Sequence, residues 1–379
     1  MNMVLNEEQV LLRDTMKAFL QEHADVSAMR TLRDTKDPIG YSLPLWQQLT
    51  ELGVGAIVMP EAYGGLGFGF LGLGAVMQEM GRTLTATPLL SSVILGASAI
   101  ELAGSARQRQ ALLPAIAAGK LTLTLAVDEA SHHAPLATRL ALRETPNGLR
   151  LNGTKVFVLD GHVADKFVVV ARSAGDAGDS HGLTLVLVEA TSPGVTISRT
   201  TMIDGRNSAE LHFENTPVNI DDLVGAQHSA WPIIEKVIDR GTICLAAEML
   251  GGAHELFART LAYLKEREQF DVKIGSFQAL QHRCALLYCQ LEQCQTAVQS
   301  ALGSLDSEAS DIALQASIAK ALVNDCYQLV SNEAIQLHGG MGITDELDIG
   351  LFLKRARVCL QLLGDTSYHL DRYATRLNF

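Results

Sequence analysis

Between Leu121 and Val224 the chain changes rhythm, and this constrains its architecture more than any other feature. "LTLTLAV", "RLALRE", "GLRLNGTKVFVLD", "KFVVVARS", "LTLVLVEA", "GVTISRT" and "AELHFEN" follow one another as short runs. Rich in Val, Leu and Thr, they read as strands. Pro146-Asn147-Gly148 and Asn152-Gly153 supply turns. The runs recur at roughly 10-residue spacing with no helical pattern between them, which predicts an antiparallel sheet or small barrel. "SAGDAGDSHG", residues 173–182, reads as an exposed hairpin loop.

Both flanks are helical. In "LNEEQVLLRDTMKAFLQEH", Val10, Leu11, Met16, Phe19 and Leu20 recur at helical spacing behind Asn6, a helix-start residue. "MPEAYGGLGFG" is a loop broken by Pro60 and paired glycines. Beyond Ala230, "WPIIEKVIDRGTICLAAEMLGGAHELFARTLAYLKERE" fits one helix of about 40 residues, about 60 Å long. Two more long helical patterns follow, which suggests a bundle carrying an oligomer interface. The expected fold is α+β and multidomain. It comprises an N-terminal all-α domain (1–120), a middle antiparallel, β-barrel-like domain (121–225) and a C-terminal four-helix-bundle domain (226–379).

The net charge of −12 over 379 residues argues against nucleic acid or an anionic membrane as the main partner. The six cysteines form no CxxC pair, as expected of reduced thiols in a cytoplasmic protein. The opening residues are acidic where a signal peptide would be basic and apolar. The longest uncharged run, Leu84 to Ile100, contains Pro88 and is short for a membrane span; a buried helix is expected there. No metal cluster or nucleophile triad stands out, so no metal is expected.

Two stretches carry candidate chemistry. In "REQFDVKIGSFQALQHR", Arg267 offers a fork of donors suited to a phosphate. Phe270 can stack on a flat ring. Gln278, Gln281 and His282 open the next helix, whose N-terminal N–H groups favour an anion. In "QLHGGMGIT", residues 336–344, Gly339, Gly340 and Gly342 interrupt a helical pattern. Without a preceding strand this is no dinucleotide-binding βαβ turn. A helix break with a glycine cap needs no function, yet bare backbone also admits close approach of a ligand. Gln336 stands one turn earlier.

Together, "LNEEQVLLRD", "MPEAYGGLG", "LNGTKVFV", "REQF…FQ…QH" and "QLHGGMGIT" resemble the acyl-CoA dehydrogenase family in order and interval, across nearly the whole chain. The resemblance implies an FAD-dependent enzyme that forms an α,β double bond in an acyl-CoA. It implies a homotetramer or an α2β2 heterotetramer with a second acyl-CoA dehydrogenase chain, and electron-transfer flavoprotein as acceptor. Arg267 and Phe270 match residues that reach a neighbouring subunit's FAD. Gln278, Gln336, Gly339 and Gly340 fall in cofactor-contacting segments, and Thr366 resembles a threonine near the cofactor.

The base departs from the family pattern. Where most members place a Glu, "LQLLGDTSY" offers Leu363 or Gly364. The alternative family position, on the long helix ahead of Arg267, falls on Gly241. Two nearby carboxylates remain as catalytic candidates, Asp365 and Glu248; capping of the last helix and a structural partner in the bundle are their alternative roles. The β domain carries "DEASHHAP" and "FVLDG" where the family has flavin-facing segments, and His132 and His133 invite a catalytic reading or a solvated one. Three functions stay open. The chain is a working dehydrogenase with an unusual base, or the non-catalytic, FAD-site-completing subunit of an α2β2 enzyme of the kind that acts on steroid side chains. Otherwise it is a fold relative such as a flavin-dependent monooxygenase.

Overall fold

The structure, a computed structural model, describes residues 5–146 and 148–379. Residues 1–4 and Asn147, the centre of one expected turn, lie outside the described residues. Six helices come first: α1 (Glu7–His23), α2 (Val26–Asp34), α3 (Leu43–Glu51), α4 (Phe70–Thr83), α5 (Ala97–Ala103) and α6 (Ala106–Ala117). Then follow β1 (Leu123–Ala126), β2 (Ala141–Thr145), β3 (Gly148–Leu159), β4 (Lys166–Arg172), β5 (Leu183–Glu189), β6 (Val195–Thr201), β7 (Asn207–Val218) and β8 (Leu223–Val224). The C-terminal part holds α7 (Trp231–Glu266), the short β9 (Glu268–Gln269) and β10 (Val272–Lys273), and α8 (Gln278–Asp306). It ends in α9 (Ile312–His338), α10 (Gly340–Ile343), α11 (Ile349–Gln361) and α12 (Thr366–Arg376). The order of helices, sheet and helices is the one expected from the sequence.

By contact the chain forms two units. One gathers the chain as far as Thr31 with Phe70–Thr85 and Thr242–Phe379; the other holds Leu32–Gly69 and Ala86–Gly241. Thus α1 and α4, early in the sequence, pack with the C-terminal helices.

In the helical unit α1 begins as its sequence dictates. Asn6 Oδ1 accepts from Gln9 N at 2.8 Å, and Gln9 Oε1 accepts from Asn6 N at 3.0 Å. This reciprocal box satisfies two first-turn donors. Met16 and Leu20 are buried, but Leu11 is 68% exposed, so the apolar stripe is narrower than its spacing suggested. At the start of α4 the Asp306 carboxylate, at the end of α8, accepts from Phe70 N at 2.5 Å and Leu71 N at 3.0 Å, a charge well placed at a helix N-terminus. Helix α4 meets α7 backbone to backbone: a Cβ on Gly81 would lie 1.9 Å from Glu248 O, and one on Gly251 would lie 1.9 Å from Gln78 O. Helix α7 is continuous for 36 residues, and α9 packs against α8, α11 and α12.

The second unit is built on an eight-stranded sheet ordered β6-β7-β3-β2-β4-β5-β8, with β1 beside β4. Most pairings are antiparallel, as expected, but β1 runs parallel to β4, and β2 meets β4 in parallel at Ala141 and Arg172. The "VVVA" run explains β4's central place: Phe167 to Ala171 are fully buried, as befits a strand covered on both faces. The "SAGDAGDSHG" loop joins the antiparallel β4 and β5. The uncharged Leu84–Ile100 run is buried, and Leu89–Gly96 within it winds as a π-helix. Ser92 Oγ there accepts from Leu123 N at 3.0 Å. Among the described residues no helix is long and apolar enough to cross a membrane. Among them no cysteine is joined in a disulfide; Cys284 and Cys294 are buried and Cys289 is exposed.

Candidate functional site

Directly after α7 the chain makes a hairpin, β9 paired antiparallel with β10, where the sequence suggested only a helix end. Its loop is Phe270 and Asp271, with φ of 56° and 59°. Two left-handed residues in a row match a type I′ turn, which ordinarily carries Asn-Gly. Phenylalanine there is strained. Its ring is turned outward: Phe270 is 86% exposed and meets Phe277 edge-on at 6.2 Å. Arg267 is exposed, and among the described residues no carboxylate pairs with its guanidinium. Gln278 is the exposed first residue of α8, and no side chain caps that helix. Its first N–H groups therefore stay open to an anion.

The "QLHGGMGIT" stretch ends α9. Gly339 takes φ 61° and ψ −139° and leads into α10. A Cβ at Gly339 or Gly340 would meet nothing within 4 Å, so both present open backbone. Gln336 is exposed. Four residues before Arg267, Tyr263 stacks on His338 with ring centroids 4.3 Å apart. That stack brings the ends of α7 and α9, and with them both sequence motifs, to one end of the bundle. An exposed unpaired guanidinium, an outward aromatic ring and accessible glycine backbone fit the anionic and flat parts of a dinucleotide.

The base positions look different. Gly364 has φ 106°, and an added Cβ would come 2.4 Å from the Tyr368 ring and 2.9 Å from His369 Nε2; the position takes no side chain. Leu363 is buried with φ 58°. The two carboxylates left as candidates each have another task. Asp365 caps α12, its Oδ1 accepting from Tyr368 N at 2.8 Å. Glu248 is buried, and Arg355 donates to its Oε1 through Nε and Nη2, each at 2.9 Å. Thr366 Oγ1 donates to Asp325 Oδ1 at 2.9 Å.

In the sheet unit Lys155 is fully buried and donates to Val127 O at 2.7 Å and Glu129 Oε1 at 2.8 Å. Burial lowers its pKa to about 8, against the pull of Glu129. This pair fixes the base of the "DEASHHAP" loop. His133 turns inward to Asp128, Nδ1 to Oδ2 at 3.0 Å, whereas His132 is exposed. In "FVLDG" a register shift against β7 bulges β3, and Phe157, at φ 53°, stands 48% exposed. Bulges re-aim side chains in this way. Neither Lys155 nor the bulge carried a sequence signal, because both depend on which strands become neighbours. No group of His, Cys, Asp and Glu among the described residues is placed to hold a metal.

Three family descriptions match in order. "Acyl-CoA dehydrogenase, N-terminal domain" covers residues 6–120, the middle domain 127–216 and the C-terminal domain 229–378. The chain is 30% identical over 369 residues to acyl-CoA dehydrogenase IpdE2 of Mycolicibacterium smegmatis, spanning 97% of this chain and 98% of that one. This chain belongs to the acyl-CoA dehydrogenase family. Its members are FAD-binding flavoproteins, oxidoreductases acting on acyl-CoA. Among solved structures, the acyl-CoA dehydrogenase fold recurs in the ChsE4–ChsE5 complex from Mycobacterium tuberculosis, with TM-score 0.90, 26% identity, and coverage of 100% of this chain and 99% of that one. It recurs again in a variant of the Tcur3481–Tcur3483 steroid ACAD, with TM-score 0.88, 28% identity and 98% coverage of both chains.

Proposed function

We propose that this chain is the cofactor-completing, base-less subunit of an α2β2 acyl-CoA dehydrogenase. FAD, when bound, supplies the acceptor for the β-hydride of the acyl-CoA. This chain's share is to hold the cofactor. Arg267 meets the pyrophosphate with a planar fork of donors. Gly339 and Gly340 let backbone approach it, with Gln336 and Gln278 adding neutral donors. Phe270 would cover an adjacent flat surface of the cofactor, and Thr366 would stand near its flavin end. The base that takes the α-proton comes from the second chain. Electron-transfer flavoprotein, in the cytoplasm, would be the acceptor for the electrons that bound FAD collects.

One observation carries this reading. Arg267, Phe270, Gln278, Gln336 and the Gly339–Gly340 backbone stand exposed, while both carboxylates near the base positions are committed, Asp365 to the α12 cap and Glu248 to Arg355. Two relatives whose names join two chains, one of them called a steroid ACAD, support hetero-oligomerisation and a bulky acyl group.

The test is to purify the chain alone and with a second acyl-CoA dehydrogenase chain that carries the family's Glu. FAD per chain, assembly mass and acyl-CoA-dependent flavin bleaching are read from each. Bleaching is expected only from the mixed assembly. Stoichiometric FAD and bleaching in the lone chain would overturn the proposal and return the base to Asp365.

A further inference from the structure

Lys320 lies midway along α9 and is completely buried, yet no carboxylate lies within ion-pair distance of it among the described residues. Its ammonium donates three hydrogen bonds: to Asn324 Oδ1 at 2.8 Å, Cys359 O at 2.9 Å and Gly364 O at 3.0 Å. Burying an unpaired ammonium is expensive, and burial pushes this one down to about pH 7, opposed by Cys359 and Asp365. For packing alone an apolar side chain of the same length would serve better.

The bonds show what the lysine holds. Two of its three acceptors are backbone carbonyls, Cys359 O in the last turn of α11 and Gly364 O within the turn that leads to α12. That turn runs through two left-handed residues, Leu363 and Gly364. The Leu363 carbonyl lies 3.0 Å from Nε2 of His369, itself fully buried, and the Gly364 carbonyl is held by Lys320. Two successive carbonyls of the turn are thus gripped from the interior; the left-handed backbone at Leu363 is strained, and strain of this kind persists only where its surroundings impose it. Directly beyond the grip come Asp365, which caps α12, and Thr366, its first residue.

We propose that Lys320 is a positioning residue of the flavin site: by holding the Cys359 and Gly364 carbonyls it fixes the 362–365 turn and so sets where Thr366 stands. The flavin part of this assignment rests on the reading above, that Thr366 faces the cofactor.

The test compares Lys320→Met with Leu291→Ala, a truncation of a fully buried α8 residue in the same unit, each in the full chain assembled with its second subunit. Hydrogen exchange is read at the Gly364, Tyr368 and His369 amides, and the flavin by its occupancy and visible circular dichroism. Lys320→Met is expected to lose protection at these amides and to lose or alter the flavin signal. Leu291→Ala is expected to lower the unfolding midpoint while leaving both local signals in place. Unchanged protection in Lys320→Met, or equal local losses in both variants, would overturn the proposal. Should Lys320→Met not fold, Asn324→Ala removes one acceptor and keeps the amine. Loss of protection at the same amides then supports the clamp, and its retention overturns it. An assembly without flavin would sink the earlier reading, while the exchange arm still decides whether Lys320 holds the turn.

Discussion

Glu248 and Arg355, 107 positions apart, meet in a buried fork in which Nε and Nη2 of the arginine both reach Oε1 of the glutamate. Removing one member strands the other's charge, which typically costs about 3–5 kcal/mol. Glu248→Ala and Arg355→Ala are therefore each expected to lower the stability of the chain by that amount in urea unfolding. The double replacement Glu248→Met with Arg355→Met should recover most of it. A Glu248→Ala variant as stable as the parent would free this carboxylate for other work.

Asp365 separates two roles that a single substitution can distinguish. Asn caps a helix about as well as Asp but takes no proton from carbon. With the second chain present, Asp365→Asn is expected to keep both stability and flavin bleaching. Asp365→Ala should cost about 0.5–2 kcal/mol through the lost cap. Abolished bleaching in the Asn variant would make Asp365 the base.

Arg267→Ala is expected to weaken FAD retention by roughly 10- to 100-fold, the worth of a hydrogen bond to a charged group. The far-ultraviolet circular dichroism should not change, because the side chain is exposed. Equal flavin occupancy in parent and variant would remove Arg267 from the site.

The sequence made plain whatever depends on neighbours along the chain. Asn6 announced α1, the β runs announced the sheet, and the glycines after His338 marked a real break. It misplaced what depends on distant packing. Leu11 has helical spacing, but among the described residues it stays largely exposed. Strand β1 is followed by further strands rather than a helix, yet its partner β4 runs parallel to it. The hairpin at Phe270 and Asp271 carries neither Asn nor Gly, so no turn signal was there to read. The Glu248–Arg355 and Lys320–Gly364 contacts likewise join elements whose meeting no local pattern encodes.

Two buried lysines give the chain a pH signature. Burial lowers Lys320 to about 7 and Lys155 to about 8, from an ordinary value of 10.5. Between these values and 10.5 the unfolded chain binds more protons than the folded one, so stability rises with pH. Unfolding midpoints are expected to climb from pH 7 to 9, and Lys320→Met should flatten the climb. A midpoint that falls across this window in the parent would contradict it.

The hairpin offers a further separation of stability from cofactor retention. Phe270→Asn with Asp271→Gly installs the residues a type I′ turn prefers. Stability should hold or rise by up to about 1 kcal/mol, while flavin retention falls. Retained flavin would show that the ring of Phe270 is dispensable.

Phe270 therefore sits awkwardly with respect to its own fold. Its backbone is held in an unfavourable conformation and its ring faces outward, so it does little for the chain that carries it. Any procedure that improves this chain in isolation, whether directed evolution for heat tolerance or sequence design on a single copy, will discard that residue early. The result would be a sturdier molecule without the outward ring assigned above to the cofactor, and the loss would go unnoticed until flavin retention was measured.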